Sequence, residues 1–200
     1  MNNIAGIDLS ASPAKETVIA LLMPGKKLIA LYYAGTDREI VKVVAKHTPS
    51  LVIVDAPMSV SKEPFREQEI KALRDGARLL PLTISSMKKL MKRGAGLYTL
   101  LSKTIPKANI FETHPFSASF FLGFKNTASL ISNLFKVKLG KDECDAITCC
   151  IVGYLYTAGF ASSYGGSPPF ILPDKSKAVK AVELLKTELC KQYRVLAREK

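Results

Sequence analysis

The chain has 200 residues, 48% of them apolar and 23% charged, a balance that excludes a disordered or fibrous polymer and fits one folded domain. Its formal charge of +12 is uneven: six basic residues and no acid lie between Ser85 and Asn109, and four lysines without an acid between Lys125 and Lys141. Such stretches are either a solubilising surface or a footprint for a polyanion such as nucleic acid, and charge alone does not choose.

In chain order, Asn3 to Leu9 reads as a first strand, followed by Thr17 to Met23 and Lys27 to Tyr33, a hairpin turning at Pro24-Gly25. Thr36 and Glu39 have capping-box spacing and predict a helix to about His47. Leu51 to Val54, closed by Asp55-Ala56-Pro57, is a short β-branched run suited to a buried parallel strand. A polar helical insertion follows at about 62–105, then a strand over Ala108 to Phe111 ending at Glu112. Helices are predicted over Ser117 to Val137 and Asp142 to Phe160. Phe170 to Pro173 reads as an edge strand, and a long C-terminal helix as covering about 175–199. This order predicts a single α/β domain over 1–200, with a mixed five-stranded sheet (three antiparallel, then parallel strands) flanked by helices.

The uncharged apolar run from Ala146 to Ala161 falls short of the ~20 residues that cross a bilayer, so no membrane span is expected. The start Met-Asn-Asn lacks the basic region of a secretory signal, and Cys144, Cys149, Cys150 and Cys190 form no C-x-x-C pair. Both features predict a cytoplasmic protein with reduced thiols. Phe120-Phe121 is a candidate homodimer surface.

The carboxylates carry the chemistry. Asp8, Asp55 and Glu112 each fall at the carboxyl end of a predicted strand, where ligand crevices of open α/β sheets lie. Asp142 and Asp145 are three apart at the start of a helix and share one face. Singly, each has a plainer role as a turn or helix cap. Together they would repel one another unless a hard divalent cation intervened, and oxygen ligands favour Mg2+ or Mn2+ over zinc. Such sites serve phosphodiester hydrolysis. Serine or cysteine catalysis is poorly supported, because neither His47 nor His114 accompanies a nucleophile elbow. His114 remains open as an acid–base group beside Glu112 or a histidine packed on Pro115.

Gly6-Ile7-Asp8, Val54-Asp55-Ala56-Pro57, Phe65-Arg66, Glu112-x-x-Pro115, Asp142-x-x-Asp145-Ala146 and Ile171-Leu172-Pro173 run in one order over most of the chain. In that order they resemble the predicted nucleases of ribonuclease H fold grouped as domain of unknown function 429. The late Asp142-x-x-Asp145-Ala146 also resembles the terminal helix of RuvC-type Holliday junction resolvases. The resemblance implies a ribonuclease H-like fold and metal ligation by Asp8, Asp55 and Asp145, with Glu112 and Asp142 as supporting ligands or alternatives. Asp8, Asp55, Glu112 and Asp145 would then be catalytic. Arg66, Lys88, Lys89, Lys92 and Arg93 are the candidate nucleic-acid contacts.

The expected function is therefore a divalent-metal-dependent nuclease. One alternative is a non-catalytic nucleic-acid- or protein-binding module that keeps the acid cluster. Another is a nucleotide-dependent phosphotransferase of the actin and sugar-kinase type, disfavoured because the chain carries no repeat to supply a second domain.

Overall fold

The structure is a computed structural model, and it describes residues 2–196. Its core is a six-stranded sheet in the order β5-β4-β1-β2-β3-β8. These strands are β1 (Ile4–Asp8), β2 (Thr17–Met23), β3 (Leu28–Ala34), β4 (Leu51–Asp55), β5 (Asn109–Glu112) and β8 (Arg194–Leu196). The first three pair antiparallel, and β4 and β5 run parallel to β1, as the hairpin-led reading predicts. It is a mixed α/β sheet flanked by helices.

Strand alternation separates two apolar layers. Ile4, Leu51 and Ile53 face one layer, built with α4 (Pro115–Phe121), α5 (Thr127–Phe135), α6 (Lys141–Thr157) and α7 (Ala178–Leu184). Ala5, Ile7, Val52 and Val54 face the other, covered by α1 (Asp37–Lys46) and α3 (Ser85–Thr104). Helix α2 (Glu67–Arg74) belongs with α3 to the polar insertion, and residues between them are not helical. Thr36 caps α1 through the reciprocal bonds its spacing predicts: its hydroxyl accepts from Glu39 N, and Glu39 accepts from Thr36 N.

Helix α6 sets the geometry of the site. It packs across β1, β2 and β4, and two glycines let it come close. A Cβ on Gly6 would lie 2.6 Å from Cys150 N and 2.8 Å from Cys149 Cβ, with Ala146 O closer still. A Cβ on Gly153 would lie 2.9 Å from both Ile4 and Ile53 side chains. The thiol of Cys150, buried in the same contact, donates to Ala20 O at 3.2 Å.

Five expectations are corrected. The predicted helix over 117–137 is two helices, because Gly123 takes a left-handed φ of 85° and ends α4. The long C-terminal helix over 175–199 is instead a 3-10 turn, α7, a π-helical turn over Leu185–Cys190 and β8. Strand β8 pairs parallel with β3 and makes the sheet six strands wide; positions 197–199 lie outside the described residues. The edge strand near Phe170 is β7 (Ile171–Pro173), which pairs antiparallel with β6 (Ala161–Ser163) in a separate two-stranded sheet. Phe121 is a core residue and Phe120 is partly buried beneath the Arg78 guanidinium at 3.9 Å, so the pair is not one exposed apolar face. No helix among the described residues is long and apolar enough to cross a membrane.

The tight α6 contact makes a contrast between two glycines. Gly6→Ala should destabilise the fold by about 3 kcal/mol, because helix and strand must separate to admit the methyl group. Gly96→Ala, in α3 with open space around its Cβ, should stabilise it by about 0.5–1 kcal/mol through helix propensity. Urea unfolding of the two variants beside the parent protein checks both signs.

Candidate metal centre

Register and alternation bring the first two acids together. In the parallel β1–β4 ladder Asp8 is the direct partner of Asp55, one strand spacing away. Asp8 shares its face with Ile4 and Gly6, and Asp55 shares its face with Leu51 and Ile53, so both point toward α6. The first turns of α6 carry Asp145 over them. One carboxylate oxygen from each of Asp8, Asp55 and Asp145 lies within 4.8 Å of the others. Among the described residues this is the one group of three or more acid, histidine or cysteine side chains with that property.

Asp145 is held from two sides. It accepts from the Thr127 hydroxyl at 2.6 Å and from Lys141 Nζ at 2.9 Å. Lys141 is largely exposed and sits four residues earlier on the same helix. Among the described residues the other two acids have no such direct cationic partner, and their proton affinity shows it. Burial first, then the charges of Asp145 and Asp142, push the Asp8 carboxyl up from 3.8 to about 7, against a lowering by Lys141. Burial, then Asp8 and Asp145, raise Asp55 well above the usual carboxylate range. Three crowded hard oxygen donors short of positive charge are what a Mg2+ or Mn2+ ion complements, so the residues present fit such an ion.

The remaining predicted residues separate. Glu112 falls on the opposite parity: it follows Phe111, which faces α6, and so turns to the other side of the sheet. There it accepts from both terminal nitrogens of Arg66 at 2.9 and 2.6 Å and from Met58 N at 2.6 Å. Burial raises its pKa while Arg66 pulls it back. Glu112 is thus engaged by an arginine and stands apart from the three-aspartate group, contrary to the expected ligand role. Asp142 is exposed at the edge of the cleft and acts on Asp8 through its charge.

The basic residues also divide. Arg66, read as a phosphate contact, is buried between Glu112 and Glu69, with Ser59 Oγ a further acceptor at 2.7 Å. Arg93 is buried too, donating to Asp37, Gly35 O and both oxygens of Ser10. Both guanidiniums are occupied by the protein itself. Lys88, Lys89 and Lys92 are exposed on α3, and Lys89 faces an open cleft that Asp8, Ser10, Ser12, Lys15 and Lys141 also line.

Two contributors escaped the sequence reading. Lys141 was legible in principle from its four-residue spacing to Asp145; Thr127 had no local signal. His114 resolves to a structural position with an open edge. It caps α4, its Nδ1 accepting from Ser117 N at 3.3 Å, and burial lowers its pKa to about 4, so it is neutral with the proton on Nε2.

No protein-family model matches the chain, and no curated protein matches it. Among solved structures, the fold is similar to that of RuvC from Thermus thermophilus, with 12% sequence identity and a TM-score of 0.48. The alignment covers 78% of this chain and 96% of that one.

The folded protein keeps the Asp8 proton to a higher pH than the unfolded chain does. Without metal, the stability this provides is intact below about pH 4 and is lost as pH rises through about 7. Thermal unfolding should therefore show a falling Tm over that window. Mn2+ in hundredfold excess over its Kd should raise Tm by about 5–10 °C at pH 8 and have little effect at pH 5. Asp8→Asn should flatten the pH dependence and remove the Mn2+ shift.

Proposed function

We propose that this chain is a divalent-metal-dependent nuclease hydrolysing phosphodiester bonds of DNA or RNA. The observation that carries the reading is the meeting of Asp8, Asp55 and Asp145 at the carboxyl ends of β1 and β4, beside a cleft with lysines on its walls. Its sequence motifs resemble the predicted ribonuclease H-fold nucleases of domain of unknown function 429, and that membership is part of the proposal.

In this reading Asp8, Asp55 and Asp145 hold Mg2+ or Mn2+, and Asp142 adds negative charge at the rim. When bound, such an ion supplies Lewis-acid polarisation of a phosphoryl oxygen and acidification of water. Thr127 fixes the rotamer of Asp145 by donating to it. Lys141, the cation nearest the acids, balances Asp145 in the free protein and offers its exposed ammonium to an incoming phosphate. Lys15 and Lys89 extend the positive lining along the cleft, where a phosphate backbone meets it. Arg66 and Arg93 act at one remove: they fix the insertion and the loop after β1, and so the walls of the cleft.

Cleavage assays with Mn2+ on branched DNA, RNA–DNA hybrid and single strands test the proposal. Asp55→Asn and Asp145→Asn should each lower the rate by at least about 100-fold, equivalent to ~2.7 kcal/mol of transition-state stabilisation. Asp142→Asn should lower it less than tenfold. A protein that binds these nucleic acids and cleaves none of them is the non-catalytic module instead, and cleavage untouched by Asp55→Asn places the site elsewhere.

A further inference from the structure

Asp55 borders a second hollow that the metal centre does not use. Beyond it lies a cavity of about 140 Å3 between the ends of β4 and β5 and the insertion. Its walls are apolar: Leu79 from the segment before α3, Met87 and Leu90 from α3, and Phe170. Leu80 stands at the wall with 58% of its surface exposed. An apolar cavity of about 150 Å3 takes up one benzene ring. The hollow has room for a single six-membered ring.

Its polar atoms say what kind of ring. Arg66 lies against two carboxylates, Glu69 and Glu112, so the guanidinium has no charge left for a phosphate, and the local balance repels anions. The occupant is neutral. His114 lines the hollow and, with its Nδ1 accepting from Ser117 N, carries its hydrogen on Nε2. A flat neutral ring with hydrogen-bond acceptors on its edge matches apolar walls and a donor, and Asp55 places it next to the carboxylates.

We propose that this cavity receives one unpaired pyrimidine base of the strand held at Asp8, Asp55 and Asp145. The base turns out of its stack and lies between the α3 side chains and Leu80, with an acceptor on His114 Nε2. Purines, with a second ring, exceed the space. The inference rests on the nuclease reading and adds to it a preference for a single-ring base beside the site.

The test needs no cleavage. Fluorescence polarisation in EDTA measures binding of single-stranded DNA and RNA oligonucleotides in which one position at a time is abasic. One position should matter: its loss should weaken binding about tenfold, and a purine there should bind as poorly as the abasic nucleotide. The DNA and RNA arms show which sugar backbone presents the base. Met87→Trp, which fills the hollow, should erase the difference between pyrimidine and abasic oligonucleotides. Leu80→Ala, at an exposed site where folding is not at stake, should reduce it about threefold. Equal binding at every position, equal binding of purines, or a position effect that survives both substitutions overturns the base pocket. Metal-dependent cleavage by the same preparation would leave the nuclease reading standing. Failure to bind any oligonucleotide overturns the base pocket, while the Mn2+ cleavage assays on branched DNA and RNA–DNA hybrid decide the nuclease reading separately.

Discussion

The contact between α6 and the centre of the sheet is the constraint on which the rest depends. Gly6 and Gly153 remove side chains where helix meets strand, and the backbone of α6 settles against β1 and β4. That closeness carries Asp145 to the two register-paired aspartates. A normal helix-on-sheet distance, with side chains interposed, would leave Asp145 too far to share an ion with Asp8 and Asp55. Packing at the middle of the helix therefore decides chemistry at its first turns.

The molecule keeps its guanidiniums and its carboxylates in separate roles. Arg66 and Arg93 are buried, surrounded by acceptors, and join segments distant in sequence: α2 to the end of β5, and α3 to the loop after β1 and the turn into α1. Removing one partner of such a buried pair strands a charge, which is why these arginines are architectural. The aspartates of the centre are the opposite case. Their charges are under-compensated: among the described residues Lys141 is the cation that pairs with one of them. Among the described residues no comparable cation is placed on Asp8 or Asp55, and burial together with the neighbouring charges raises both carboxyls.

The insertion between β4 and β5 gives the site its surroundings. Helix α3 lays a buried face against the sheet through Leu97 and Leu101 and leaves Lys88, Lys89 and Lys92 in solvent. Its first turns contribute Met87 and Leu90 to the hollow beside Asp55, and Lys89 to the cleft beside Asp8. One helix thus supplies an apolar wall on one side of the acids and a cation on the other. The lysine of the cleft and the apolar residues of the hollow lie one or two apart on the same element, because a helix distributes neighbours to different faces.

The strand order, the capping box at Thr36 and the positions of the acids at strand ends were legible from local signals: β-branched runs, turn residues and spacing. The same signals failed in the C-terminal segment, where helical periodicity continued through residues that close as a π-helical turn and a strand. Pairing with the free edge of β3 overrode propensity there. Of the acids, Asp8, Asp55 and Asp145 could be named from sequence, but Glu112 looked equivalent to them. Only the pleat distinguishes it: one residue of difference in strand parity turns it to the far side of the sheet, where Arg66 waits. Arg66 and Arg93 misled for the same reason, since a sequence shows a charge without showing what surrounds it. The sequence by itself determined which residue types stood at the ends of which elements. The tertiary structure alone decided which of them meet, because register, side-chain direction and helix-to-sheet distance are set by packing between segments far apart in the chain.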